Sequence, residues 1–132
     1  MTRADAVVRL QHAHEFFAAA ELVTDLGEDA GVANTGNTVG SLAVLSGIAS
    51  ADAICGAVLG HRAAGDSHSE AVKLLKQAVP GANYPAQLRR LIDSKSESQY
   101  STSLITEARA AELMVSARKL MEGADRVLRK LP

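Results

Sequence analysis

Apolar residues recur every three to five positions along much of the chain, which is the spacing of one face of an α-helix. In residues 4–26 this spacing predicts an amphipathic helix that ends at Gly27, in the left-handed conformation common at helix ends. The inward-facing side chains are expected to be Val7, Leu10, His14, Phe17, Leu22 and Leu26. Arg9, Glu15 and Glu21 are the polar residues between them.

Residues 34–59 predict a long helix with an unusual number of glycines. Each Gly costs about 1 kcal/mol against Ala in a helix, so their number suggests that neighbouring helices approach closely. The small residues concerned are Gly36, Gly40, Ala43, Gly47, Ala51 and Gly56. Asp52 is the only charge between Val39 and Gly60, a run long enough to span a bilayer. Its glycines and serines, and the cost of a carboxylate at mid-membrane, favour instead a helix buried in a bundle, without membrane contact.

Three further helices are predicted in the second half of the chain. Ser67 and Glu70 have the spacing of a capping box before a short helix, which Pro80 and Gly81 close. Pro85 suits the first turn of the next helix. The residues expected to face inward there are Leu88, Leu91 and Ile92.

The last helix is predicted to begin near Thr106, with Ile105 able to pack on Ala110. The chain of 132 residues contains 24 Ala, is 47% hydrophobic and only 3% aromatic. Ala is the best helix former and is depleted in strands. We therefore predict an all-α fold, an up-down bundle of four to five helices that forms a single domain over residues 1–132.

The charge is divided unequally between the two halves of the chain. Residues 1–66 hold three basic and eight acidic residues, whereas residues 67–132 hold eleven basic and seven acidic ones. Arg89 and Arg90 lie in the penultimate helix, and more cations follow in the last one: Arg118, Lys119, Arg126, Arg129 and Lys130. Cations near a helix C-terminus are stabilised by the helix dipole. The alternative is a basic face that meets phosphate groups.

The sequence predicts neither a metal site nor a cofactor. The two helical histidines, His12 and His14, are two positions apart and therefore face different sides, and His61 and His68 flank a loop. Cys55, the single cysteine, is expected to be a small buried hydrophobe. The N-terminal residues lack a long apolar stretch, so we expect no secretory signal and a cytoplasmic location.

Asp52 is the most unusual residue, because a carboxylate in an apolar helix needs a partner or a shifted pKa. A structural ion pair with an Arg or Lys of another helix is one interpretation. Asp52 could instead line a polar pocket or a subunit interface, or face solvent.

The order of these elements resembles the HEPN superfamily of small helical bundles (higher eukaryotes and prokaryotes nucleotide-binding). The likeness covers an Ala-containing first helix, a long Gly/Ala helix, the loop ending in Asp66, Ser67 and His68, a Leu-rich helix, the segment 91–100 and a final helix. Many members carry an Arg four to six residues before a His, and a subgroup has Arg, four residues and Tyr. Lys95 and Tyr100 match the second spacing, with Lys in place of Arg.

The resemblance implies a site and a chemistry. Active members look like metal-independent ribonucleases, and their polar groove forms where two copies meet. By this resemblance Lys95 would hold a phosphate, Tyr100 would donate a proton or position the substrate, and Asp52 would be their polar partner. Arg89 and Arg90 are further candidates for phosphate contact. A Tyr, with a pKa near ~10, is a poor general base at neutral pH.

We therefore expect a non-catalytic or weakly catalytic HEPN-like module of a toxin–antitoxin or defence-type system, which binds RNA, a nucleotide or a protein. The alternatives are an active ribonuclease toxin and a purely structural interaction protein. A homodimer is expected, with residues 36–56 supplying part of the contact. A cognate antitoxin or a nucleotidyltransferase is a further expected partner. Growth arrest that is abolished by Lys95→Ala or Tyr100→Phe would favour the toxin.

Overall fold

The computed structural model describes residues 1–63, 68–95 and 104–131, and within them every regular element is an α-helix. The helices are α1 (Arg3–Leu26), α2 (Thr35–Leu59), α3 (His68–Ala78), α4 (Tyr84–Asp93) and α5 (Glu107–Lys130). The predicted all-α bundle is therefore confirmed. Tyr100 and Ser67 lie outside the described residues.

Helix α2 lies at the centre of the bundle, in contact with the other four helices. All five helices contribute to one apolar core, represented by Phe17, Val44, Leu75, Leu91 and Leu120. By length and composition alone α2 could cross a membrane, but 61% of its most apolar window is buried inside the bundle. This burial is compatible with the core helix of a soluble protein.

The glycines of α2 allow neighbouring segments to approach its backbone, as predicted. A methyl group on Gly36 would collide with the backbone carbonyl of Ile105, and one on Gly47 with the end of Leu91. Gly47 also lies near Leu120, so α2 and α5 run in the same direction. Residues of the same chain thus cover these glycines, and the expectation that this surface contacts a second copy is wrong for them.

Helix α1 buries three of its alanines and exposes four of its eight large apolar residues. The buried residues are Ala6, Ala13, Phe17 and Ala20. Of the residues predicted to face inward, Phe17 is buried and Leu10 is half-buried, but Val7, Leu22 and Leu26 are exposed by 41, 59 and 53%. The His14 side chain is also exposed. Because α1 lies close against the Gly- and Ala-rich α2, there is room between them for alanine but little for leucine.

Gly27 is not the left-handed helix end that the sequence predicted. Its φ is −61°, and a Cβ there would lie 2.9 Å from Cγ2 of Thr35. The left-handed conformation occurs instead at Gly31, Gly60 and Gly81. Gly27 therefore provides space for the start of α2 to pack against the end of α1.

The predicted features of the last two helices are confirmed. Pro85 lies in the first turn of α4. The buried face of α4 includes Leu88, Leu91 and Ile92. Thr106 caps α5 by accepting a hydrogen bond from the backbone N–H of Arg109 at 3.1 Å, and Ile105 packs in one cluster with Ala110.

Candidate nucleic-acid interface

Helices α4 and α5 lie antiparallel and are joined at two points by arginine side chains. The Arg126 Nη2 donates to the hydroxyl oxygen of Tyr84 at 2.9 Å, and the Arg90 Nη1 approaches the Ser116 hydroxyl at 3.5 Å. Gly123 makes room for the first contact, since a Cβ there would lie 2.5 Å from Cζ of Tyr84. The two contacts hold two exposed guanidinium groups along one line between the helices.

Helix α5 carries a continuous stripe of small and basic residues along this line. Its members recur at intervals of three and four and therefore share one face: Ser116, Lys119, Gly123, Arg126 and Lys130. Ser116 and Gly123 are buried against α4, while the three cations are exposed. We call the surface formed by Tyr84, Gln87, Arg90 and this stripe the basic seam.

The other predicted cations lie elsewhere. Arg89 is exposed, but it is two residues from Gln87 and so lies about 160° round the helix from it. Arg118 is directed toward α1, where it lies 4.7 Å from the ring centre of Phe17 and 3.5 Å from a carboxylate oxygen of Glu21. Arg129 is in the last turn of α5, where the helix dipole stabilises a cation.

Asp52 forms the structural ion pair that was one of its interpretations. Arg9 of α1 donates from Nε and Nη2 to the Oδ2 of Asp52 at 3.2 and 2.9 Å. Arg62, in the segment after α2, approaches the same oxygen at 3.4 Å. The Asp52 side chain is 16% exposed. Two guanidinium groups thus neutralise the carboxylate and tie α1 and the end of α2 together.

Arg9 also contacts His12, since its Nη1 lies 3.1 Å from Nδ1 of the imidazole ring. Since a guanidinium can only donate, this contact makes Nδ1 the acceptor and places the imidazole proton on Nε2. Sequence reasoning missed both Arg9 and Arg62 as the partners of Asp52. Neither spacing in the sequence nor periodicity signals them, because Arg9 is 43 residues away from Asp52.

Asp52 and Lys95 lie on opposite sides of the point where α4 crosses α2. Leu91 packs on Gly47 at this crossing, and α4 runs antiparallel to both α5 and α2. Lys95 therefore continues toward the start of α2, whereas Asp52 lies five residues beyond Gly47 toward its end. The shared cleft of Asp52, Lys95 and Tyr100 stays a prediction.

The remaining candidate groups show no catalytic arrangement in the described residues. Burial raises the pKa of the Cys55 thiol to about 12, with a further contribution from the negative charge of Asp52. His14 Nε2 lies 2.8 Å from a carboxylate oxygen of Asp125, which links α1 to α5. Within the described part of the chain, no group of three or more His, Cys, Asp or Glu residues could hold a metal ion.

An acidic cavity lies where α1 ends and α2 and α5 begin. Its volume is about 560 Å³. Its floor includes Val39, Ala110 and Met114. Its wall carries five carboxylates, from Glu21, Asp25, Glu28, Asp29 and Glu107. This part of the surface repels phosphate groups, in contrast to the basic seam.

No family model matches the chain, and no curated protein or solved structure does so either.

Proposed function

We propose that this protein is a non-catalytic or weakly catalytic HEPN-like module that binds single-stranded RNA along the basic seam. Its biological setting, on this proposal, is a toxin–antitoxin or defence-type system. The observation that carries the proposal is the row of exposed cations on the seam, in which Arg90 and Arg126 are held by contacts across the two helices.

The charge distribution supports one binding face. The protein as a whole has a formal charge of −1, so it has no general attraction for nucleic acid. The seam concentrates Arg90, Lys119, Arg126 and Lys130, while the acidic cavity lies at the end where α5 begins. A strand of phosphates is therefore attracted to the seam and repelled from that end.

The half-buried ring of Tyr84 favours a single strand over a duplex. Proteins that bind single strands combine a basic groove with aromatic side chains beside the bases. Tyr84 is fixed at the seam through its hydroxyl and through the space above Gly123. It thus lies among the cations at a place where an unpaired base can reach it.

Binding is tested by fluorescence anisotropy with a labelled nine-nucleotide RNA at several salt concentrations. The triple variant R90Q/K119Q/R126Q is expected to bind at least tenfold more weakly at low salt. The slope of log K against log salt should fall by about 2, since each phosphate contact to a single strand contributes about 0.7.

The control is K73Q/K76Q/R129Q, which removes the same charge from exposed positions outside the seam. Its affinity and salt slope should stay close to those of the unmodified protein. Equal losses in both triple variants would mean that RNA responds only to total charge, and the seam would not be the site. Thermal unfolding of each variant shows that the fold is retained.

We also propose a homodimer, in which the outer face of α1 is the apolar surface that a second copy covers. Val8, Leu22 and Leu26 are 46, 59 and 53% exposed, and separations of 14 and 18 residues place them on one stripe of the helix. Sedimentation should give twice the chain mass, and Leu22→Glu should shift the protein toward monomer. A single 13.8 kDa species at micromolar concentration would contradict the dimer.

A further inference from the structure

The basic seam contains a buried amide group with an unused hydrogen-bond acceptor. Gln87 is 4% exposed, and its Oε1 is buried without a hydrogen-bond partner. Among the described residues, the other buried side-chain nitrogen or oxygen without a hydrogen-bond partner is Nδ2 of Asn34, at the start of α2. Buried polar atoms are nearly always paired, and an ordered water, an ion or a bound ligand can supply the partner of such an atom.

Gln87 lies between Tyr84 and Arg90 in the sequence of α4, and both of these residues belong to the basic seam. Tyr84, Gln87 and Arg90 follow one another at intervals of three residues along the same side of α4. Tyr84 and Arg90 each contact the α5 stripe through a side-chain hydrogen bond. Gln87 therefore lies between an aromatic ring on one side and a guanidinium group on the other.

The side chains of the seam suit the phosphate and the base of a nucleotide residue. The guanidinium groups of Arg90 and Arg126 suit phosphate oxygens, and the ring of Tyr84 suits the face of a base. The Gln87 oxygen accepts a hydrogen bond, so it suits a base edge that offers an N–H donor.

We propose that the seam selects, within bound RNA, a base with an exocyclic amino group, which donates to Oε1 of Gln87. Among the pyrimidines this group is present in cytosine and absent from uracil, which carries a carbonyl oxygen at the same place. Binding brings the amide to the surface of the seam by rotation of the Gln87 side chain. The inference rests on the proposed function, since it concerns the RNA bound at that site.

The test compares the anisotropy of labelled nine-nucleotide oligocytidine and oligouridine with the intact protein at one salt concentration. One additional net hydrogen bond predicts a preference of about three- to tenfold for oligocytidine. Gln87→Met, of similar shape but without the amide, should abolish the preference through weaker binding of oligocytidine, and the salt slope should stay the same because no charge is removed. Gln77→Met, at an exposed position of α3, is the matched control and should retain the preference.

The outcomes separate the two proposals. Binding of both oligonucleotides with equal affinity, or a preference that survives Gln87→Met, would overturn the base selection and leave RNA binding intact. Absence of binding to either would overturn both. Displacement of oligocytidine by micromolar cytidine monophosphate would show that the site takes a free nucleotide, and would overturn the assignment to RNA.

Discussion

Helices α1 and α5 have the same length, 24 residues each, but they use their apolar residues in opposite ways. Helix α5 buries large side chains such as Leu113 and Leu120 and turns its charges outward. Helix α1 buries alanines against α2 and leaves Leu22 and Leu26 exposed. The difference teaches that the closeness of the partner helix, more than hydrophobicity, decides which face is buried.

The largest expected effect comes from truncating one leucine on each helix. Leu120→Ala should lower the free energy of unfolding by about 2–5 kcal/mol, because Leu120 is fully buried. Leu22→Ala, at a site 59% exposed, should change it by less than about 0.5 kcal/mol in the monomer. Urea denaturation of dilute protein measures both values. Similar losses at the two sites would remove the distinction between the helices.

Two glycine substitutions within α2 test how closely neighbouring segments approach its backbone. Gly36→Ala should destabilise the protein by about 1–3 kcal/mol, since the new methyl group meets the backbone of Ile105, which has little freedom to move. In Gly40→Ala the methyl would lie 3.3 Å from the flexible end of the Ile105 side chain. The gain of ~1 kcal/mol in helix propensity should then offset the cost. Equal melting temperatures of the two variants would contradict this account.

Sequence reasoning predicted the packing of α2 and α4 but not the buried face of α1. The bounds of α2 and the buried residues of α4 followed from periodicity and from Pro85. The face of α1 did not, because the rule that apolar residues face inward assigns little weight to Ala6, Ala13 and Ala20. The pairing of Asp52 was expected, but Arg9 was not, since the partner of an ion pair depends on tertiary contact.

Double-mutant cycles compare a polar contact between α1 and α2 with one between α4 and α5. The Arg9–Asp52 pair, with side chains 22 and 16% exposed, should show a coupling energy of about 1–2 kcal/mol. The Tyr84–Arg126 contact should couple more weakly, because it is more exposed and lacks an opposite charge. Arg9→Met, Asp52→Asn and their combination form the first cycle, and Tyr84→Phe with Arg126→Met the second. A stronger coupling in the second cycle would reverse the ranking.

Cys55 provides a pH-dependent test, from the interior of α2. Its pKa is raised from 9.0 to about 12, so the folded state favours the neutral thiol. This shift stabilises the folded state fully at a pH below the pKa of the thiol in the unfolded chain. The stabilisation is lost as the pH rises from 9 to 12, by at most about 1.4 kcal/mol of unfolding free energy per pH unit. Unfolding measured at pH 8 and 10.5 should show a steeper loss for the unmodified protein than for Cys55→Ala. Parallel losses would contradict this burial effect.

Sequence reasoning located the cations of the basic seam but not their arrangement. The three- and four-residue intervals from Ser116 to Lys130 could have revealed the stripe. The roles of Tyr84 and Gly123 could not be predicted, because they depend on the way α4 crosses α5. Lys95 and Tyr100, which the HEPN resemblance singled out, remain predictions.

The central claim is that RNA binds along α4 and α5, and mapping of backbone amide shifts by NMR tests it most directly. On titration with a nine-nucleotide single-stranded RNA, the largest shifts should occur at Gln87, Arg90, Lys119 and Arg126, with little change in α1. Shifts that centre on α1 and the acidic cavity, or no shifts at millimolar RNA, would contradict the claim.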